Sequence, residues 1–354
     1  MDSGGGTGST SSRRGFLRHL IAEVGNQAGQ LAGDARLAST TVAGEDPSST
    51  PRGSPPTRAL PTRGHMTIDD VLAIADECAL TRRLDDVRAL TRRSLRLTVV
   101  GESSQATPQA SWLGDPRVRP AELVWSGQQE PRCLAGIDLG QAAAVLGDDG
   151  PLPTEGTLWC FAPPATSFVS QRGDPEDYYV VLPKGDAMPG AATVSLDTGV
   201  PPSWRSIELS AELQLPRVWS DHVQALELDE AEHDGWQRLR QQLAERQGVE
   251  VHDSTHEFQV MHRLLGYPDE RRGDMPLACE LLARGYVLGE DPPLTHPCAA
   301  EAAPQTGRWR LLLQLSMDDE LGWSWGGRRE RFYVWIDESD LANGDFARVR
   351  AFAQ

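Results

Sequence analysis

The sequence predicts an α+β protein made mainly of antiparallel sheet with few helices, and three observations carry that prediction. Short runs with strand composition recur between Pro/Gly turns. One long amphipathic helical pattern interrupts them, between about Asp229 and Arg246. Strand patterns also mostly follow strand patterns instead of alternating with helices, which argues against a doubly wound nucleotide-binding fold.

Taken in order, the first fifteen residues are Gly/Ser/Thr-rich, and residues 39–64 are rich in Pro, Ser, Thr and Gly. Neither stretch holds enough apolar surface to offset the entropy of ordering, so residues 1–64 are expected to be a mostly disordered leader. Leu17, Leu20, Ile21, Val24, Ala28 and Leu31 recur at helical spacing and predict one amphipathic helix over about 16–35, suited to docking on a partner or a membrane surface. Ser12-Arg13-Arg14-Gly15-Phe16-Leu17-Arg18 resembles a twin-arginine export motif, but Glu23, Asn26, Gln27 and Gln30 break up the apolar stretch such a signal needs. A cytoplasmic location is expected.

Order resumes at Thr67, where Thr67-Ile68-Asp69-Asp70 reads as a capping box with Asp in place of Glu, ahead of a helix to about Cys78. A second apolar pattern runs through Leu84, Val87 and Leu90, and Leu95–Val100 reads as a strand. Residues 66–110 read as the first layer of the main domain or as a helical arm leading into it; the arm is expected, with the main domain over 111–354. Its predicted strands are Ala121–Trp125, Cys133–Leu139, Gly156–Phe161, Tyr178–Leu182 and Ser206–Leu215, followed by Leu311–Leu315 and Phe332–Ile336. Gly248 is placed to stop the helix that begins near Asp229. A weak internal repeat relates Cys133–Leu139 and Gly156–Phe161 to Leu311–Leu315 and Phe332–Ile336, so an internal duplication is expected, each half a strand, a long acidic loop and an aromatic-rich strand.

The formal charge is −17. Residues 1–65 carry seven Arg and five acids, a net +2, which leaves −19 for the body. Such a surface repels phosphate backbones, so no nucleic-acid partner is expected. Lys184 is the only lysine, and positive charge is otherwise guanidinium, which favours bidentate carboxylate pairing. The five cysteines are widely spaced without a CxxC pair, reading as buried thiols in a reducing compartment, and no run is apolar enough for a membrane span.

The segment Trp309–Ile336 holds the candidate site. A two-residue period puts Leu311, Leu313 and Leu315 on one strand face and Leu312 with Gln314 on the other. Tyr333 and Trp335 likewise oppose Phe332, Val334 and Ile336. Paired strands would bring Gln314 near Tyr333 and Trp335, with Trp323 and Trp325 arriving from the connecting loop to line a cleft. The competing reading is that these aromatics fill a secondary core and Gln314 bonds a loop backbone group.

Several stretches, His262-Arg263-Leu264-Leu265-Gly266-Tyr267-Pro268, Gly273-Asp274-Met275, Trp309–Leu315, Asp318-Asp319, Trp325-Gly326, Phe332–Ile336 and Asp340-Leu341 with Phe346, resemble the YwqG-like family of bacterial proteins of unknown function. Similarity covers about Trp112 to Gln354. It implies a mixed α+β, duplicated fold and brings no catalytic residues to transfer. Gly136 stands where the family tends to have Gln in the first-half strand, and Arg272 and Gly327 also depart from its pattern.

Other chemistry is thin. His252, His256 and His262 lack the spacing of a metalloprotease, Asp318-Asp319-Glu320 lacks the alternating donors of a calcium loop, and no phosphate loop, nucleophile elbow or dinucleotide fingerprint occurs. No metal and no cofactor is expected. The sequence thus points to a non-enzymatic binding or interaction protein, its partner another protein or a small cationic ligand drawn by the acidic surface. The alternative is a hydrolase or other enzyme using the Gln314/Trp/acid cluster, with Asp318 or Asp319 as general base.

Overall fold

The computed structural model describes residues 66–100, 110–120, 131–147, 150–162, 179–181, 193–195, 203–249, 262–269, 274–288, 292–316, 318, 321, 323 and 331–353. The leader with its helix over about 16–35, the strand read at Ala121–Trp125, and His252, His256, Asp319 and Trp325 lie outside these residues. All the described elements belong to one compact unit, Thr62–Gln354.

The capping box forms as expected: the Thr67 hydroxyl accepts from the Asp70 amide at 3.2 Å and the Asp70 carboxylate accepts from the Thr67 amide at 2.7 Å. It starts α1 (Ile68–Glu77), followed by α2 (Leu84–Leu90) and β1 (Arg92–Val99). Then come β2 (Trp112–Asp115), β3 (Val118–Pro120), β4 (Arg132–Asp138), α3 (Leu139–Leu146), β5 (Thr157–Ala162), β6 (Tyr179–Val181), β7 (Thr193–Ser195) and β8 (Ser203–Gln214). The second half holds α4 (Asp221–Gln224), α5 (Glu230–Arg246), β9 (His262–Leu265), α6 (Met275–Ala283), α7 (Ala299–Ala302), β10 (Trp309–Ser316), β11 (Arg331–Asp337), α8 (Glu338–Ala342) and β12 (Arg350–Ala353).

Ten strands form one sheet in the order β12-β11-β10-β9-β1-β8-β2-β4-β5-β6, and every described pairing is antiparallel. The fold is α+β with a mainly antiparallel sheet. The order is symmetric about the central β1/β8 pair. In chain order β1, β2, β4, β5, β6 and β8, β9, β10, β11, β12 are two five-strand sets, yet β1 pairs with β9 of the second set and β8 with β2 of the first. The two sets exchange their first strands. β1, read from the sequence as part of an arm, therefore runs through the middle of the sheet.

The sequence repeat has a structural counterpart. A β-bulge lies between Cys133 and Ala135 where β4 pairs with β5, and another between Leu311 and Leu313 where β10 pairs with β11. Matching the bulges sets Gly136, opposite Trp159, in the place of Gln314, opposite Tyr333. The bulge also corrects the expected faces of β10. An extra residue reverses the alternation, so Leu312, Leu313 and Leu315 join one core while Leu311 faces the other way with Tyr333 and Trp335. A uniform two-residue period could not anticipate this. Nor is the first-half connection only a loop: Asp138 caps α3 by accepting from the Gln141 amide at 2.8 Å.

One sheet face buries the largest core, which draws Leu134, Ile137 and Leu158 from the first half and Leu312, Leu315, Phe332 and Val334 from the second. Arg132 Nη2 donates to the Leu321 carbonyl at 2.8 Å, joining the halves on that side. The opposite face carries three smaller cores. Helices α1, α2 and α5 pack around Trp236, Leu213 and Leu215; α6 and α7 pack against Leu311, Tyr333, Trp335 and Phe352; Trp112, Trp159, Phe161 and Trp204 form the third.

Candidate functional site

A polar row crosses the sheet on that opposite face. Arg96 of β1 is in register with Arg263 of β9, Arg263 with Gln314 of β10, and Gln314 with Tyr333 of β11. Directly opposed residues share a face, so two arginines and two hydrogen-bonding groups stand side by side. Like charges so placed repel. Glu212, buried on β8, relieves the repulsion by pairing with the Arg96 guanidinium and approaching Arg263 Nε at 3.7 Å.

The turn after β9 brings one more acid onto this row. Leu265 and Gly266 adopt φ of 64° and 81°, which folds the chain back over the sheet. A side chain at Gly266 would meet Gln214 Oε1 at 2.1 Å. The absent side chain lets Gln214 reach the next residue and accept from the Tyr267 amide at 2.9 Å. The Tyr267 hydroxyl donates to the Leu90 carbonyl at 2.9 Å, and Arg92 lies over its ring at 4.4 Å. Anchored this way, the turn delivers Asp269 to Gln314, whose Oε1 accepts from the Asp269 amide at 2.8 Å while its Nε2 donates to the carboxylate at 3.1 Å. The Asp269 carbonyl accepts from the Tyr333 hydroxyl at 3.0 Å and from Arg331 Nη1 at 2.8 Å.

Three guanidiniums surround the Asp269 carboxylate: Arg263 at 2.7 Å, Arg217 at 3.5 Å and Arg331 at 3.9 Å. Burial alone would raise its pKa, but Arg263, Arg331 and Arg217, with the Gln314 amide, outweigh burial and hold it well below the usual carboxylate range. Asp269 is therefore an anion of low basicity. Arg263, for its part, is raised: burial works against the charge, and Asp269 and Glu212 overcome it.

Helix α5 adds a fourth guanidinium to this neighbourhood. Its Trp236 Nε1 donates to the Pro216 carbonyl at 3.0 Å and its Arg240 Nε to the Leu215 carbonyl at 3.3 Å, so the helix grips the end of β8 just before Arg217. Burial, then the charge of Arg217, and also that of Arg263 against the opposing pull of Asp269, bring Arg240 down to about 10.

The residues singled out from sequence distribute unevenly. Gln314 and Tyr333 meet at Asp269. Trp335 is buried with Leu311 in the α6/α7 core. Trp323 lies in the large core on the other face, edge-on to His262 at 5.8 Å. Asp318 bridges to Trp323, accepts from the Leu321 amide at 3.2 Å and stands 3.6 Å from His262 Nε2. The Ser316 amide donates to His262 Nδ1 at 3.3 Å, which leaves the imidazole proton on Nε2, facing Asp318. Burial lowers the His262 pKa against the pull of Asp318, keeping the ring neutral. The described aromatics thus serve two separate cores and line no common cleft. Arg217, Arg240, Arg263, Asp269 and Glu212 escaped sequence reading as site residues; Arg263 and Asp269 flank the Leu264–Pro268 stretch, a signal for a turn more than for a charge cluster. Among the described residues no three His, Cys, Asp or Glu side chains are grouped so as to hold a metal.

The corresponding place in the first half is closed. A side chain at Gly136 would meet the Trp112 ring at 2.1 Å, so the indole fills the space that Gln314 occupies in the second half. The nearby Arg119 is bound through Nη1 and Nη2 to Asp115 at 3.0 and 3.2 Å and donates to the carbonyls of Val118 and Pro131.

Comparison with known families matches a domain of unknown function, DUF1963, over residues 114–354, more than half of the chain. The chain belongs to the DUF1963 family. The YwqG-like resemblance is consistent with this, since YwqG-like proteins commonly carry DUF1963. The match starts inside β2 and so takes in eight strands of the DUF1963 sheet from β4 onward besides β2 itself, but leaves out β1, which completes its centre. No curated protein matches the chain. Among the described residues no helix is long and apolar enough to cross a membrane.

Proposed function

We propose that this DUF1963 protein is a non-enzymatic binding protein whose recognition centre is the polar sheet face around Asp269, Gln314 and Tyr333, in place of an aromatic-lined cleft. The observation that carries this reading is the convergence of those three residues with Arg217, Arg240, Arg263 and Arg331 in a chain of formal charge −17. Crowding guanidiniums together in a sheltered place costs stability through mutual repulsion and lost hydration, and clusters of this kind mark candidate functional sites. The acidic exterior steers cationic protein surfaces toward the molecule, and the arginine face receives an acidic group from a partner or small molecule. No disulfide joins any of the five cysteines, in keeping with a cytoplasmic location.

A thermal-shift screen of the full chain against a metabolite collection tests the proposal. At least one compound is expected to raise Tm in the wild type and to lose its effect in Gln314→Leu, judged at matched folded fraction. A screen in which nothing shifts Tm, or in which every hit acts equally on Gln314→Leu, overturns it.

The second reading, an enzyme, draws on the buried His262 beside Asp318. Beside a neutral imidazole, the Asp318 carboxylate is the group placed to act as general base. If Asp318→Asn abolishes a hydrolytic activity found in purified protein without lowering Tm, catalysis displaces the binding proposal.

A further inference from the structure

Resting on the binding proposal, the geometry points to the ligand's chemistry: an oxyanion, carboxylate or phosphate, received by Arg240 and Arg217, with a flat apolar body against Trp219. Three observations lead there. First, among the described residues the two acids on this face are engaged by other arginines: Glu212 by Arg96 and Arg263, and Asp269 by Arg263, Arg217 and Arg331. Arg240 is partly buried, and its one hydrogen bond is to the Leu215 carbonyl, with no carboxylate in ion-pair reach among the described residues. A cation sheltered from water beside other cations is costly without an anion. A bound oxyanion supplies the missing charge, and guanidinium matches its geometry with two parallel N–H donors.

Second, Arg240 is anchored through its Nε. Trp236 and Arg240, one helical turn apart on α5, each hold a carbonyl of the segment that leads into Arg217. α5 is thereby held to the segment that carries Arg217, which reduces the ordering cost of binding.

Third, an exposed aromatic stands beside them. Trp219 is 48% exposed, unlike the described tryptophans in the four cores, and Arg217 lies 5.6 Å from its ring while also reaching Asp269. One guanidinium thus joins the charged centre to an accessible indole face, the combination that binds an acid attached to a planar group. The first half offers the contrast: Arg119 has Asp115 as a two-pronged partner and Trp112 fills the equivalent space, so charge and volume are both satisfied.

The test uses the full chain with phenyl phosphate, benzoate, inorganic phosphate and, at equal ionic strength, sodium chloride, followed by Tm and tryptophan fluorescence. Phenyl phosphate or benzoate is expected to raise Tm beyond chloride and to change fluorescence, and which of the two acts separates phosphate from carboxylate. Arg240→Gln should weaken that ligand at least tenfold, judged at matched folded fraction, while Arg240→Lys, which keeps the charge, weakens it less. Trp219→Ala should weaken phenyl phosphate or benzoate and leave inorganic phosphate unaffected. Equal response in wild type and Arg240→Gln overturns the assignment, as does a Tm rise no larger than that given by chloride. If the metabolite screen finds a neutral or cationic ligand insensitive to Arg240→Gln, the oxyanion assignment fails and binding at this face stands; if neither experiment finds any ligand, both fail.

Discussion

Gln314 and Asp269 hold each other through two reciprocal hydrogen bonds, amide to side chain at 2.8 Å and side chain to carboxylate at 3.1 Å, across 45 residues of sequence. This pair fastens the turn after β9 to β10 and sets where the arginines must go. Gln314→Leu keeps the volume but leaves the Asp269 amide without its acceptor, while the carboxylate keeps Arg263. Leaving buried groups unsatisfied costs about 1–3 kcal/mol, and chemical denaturation should show a loss of that size; an unchanged midpoint would mean the turn is held without Gln314.

Asp269→Asn removes the negative charge that Arg263, Arg217 and Arg331 share. Breaking a buried pair from one side costs about 3–5 kcal/mol, more than the Gln314 change. Denaturation of both variants checks the order. If Asp269→Asn proves the milder of the two, the guanidiniums find another counter-charge and the central role of Asp269 fails.

Gly136 admits no larger side chain, because a Cβ would lie 2.1 Å from the Trp112 ring. Overpacking of this kind typically costs about 1–3 kcal/mol, so Gly136→Ala should lower stability by at least that much and disturb the near-ultraviolet circular dichroism of Trp112 and Trp159, whose rings meet edge-on at 4.8 Å. A silent Gly136→Ala would show that the indole moves aside readily.

Glu232 links α5 to the first helices. It is held down to about 2 from its usual 4.5, chiefly by the Arg83 hydrogen bond and then by the Asp229 amide in the capping box. Because the folded pKa lies below the unfolded one, its contribution is fully present above about pH 4.5 and is lost as pH falls toward 2. Comparing Tm of wild type and Glu232→Gln from pH 7 to pH 2 should show two curves that converge on acidification. A gap that stays constant down to pH 2 would assign the effect to packing instead of charge.

Cys78, Cys133, Cys160 and Cys279 are buried, and Cys298 is half-buried. Burial pushes Cys160 up to about 12 and Cys133 higher still. Since the thiolate is the reactive form, a disulfide reagent at pH 8 should titrate about one thiol quickly in native protein, Cys298, and all of them after unfolding. Fast reaction of two or more native thiols would contradict the packing around β4 and β5.

Local physics wrote much of the fold into the sequence. The Thr67 capping box, the Asp229 start of α5 and the strands β4, β5, β10 and β11 depend on neighbours within a few residues or on simple periodicity, and each was legible, whereas the facing of Gln314 and Tyr333 followed only on the condition that β10 and β11 pair. The alternation on β10 was not. A bulge at Leu312 depends on how two strands fit, not on either alone, and it moved Leu311 to the opposite face from Leu313. The same reason hid α3, whose eight apolar-rich residues satisfy strand and helix patterns about equally until packing decides.

The candidate site divides in the same way. Its aromatic and glutamine members lie in one segment and could be read there, although the structure sends Trp323 and Trp335 to different cores. Its charged members come from β1, β8, the turn beyond β8, α5, β9 and β11, and no spacing in sequence relates Arg96, Arg217, Arg240, Arg263 and Arg331 to Asp269. By itself the sequence determined the strands β1, β4, β5, β8, β10 and β11, the Thr67 and Asp229 helix starts, the acidic balance and the repeat, because hydrophobic period and capping act over short stretches of chain. Only the tertiary structure decided which strands exchange, that Trp112 closes one half while Gln314 leads the other, and that arginines gather on an acidic protein, because charges interact through space at a few ångströms whatever their separation along the chain.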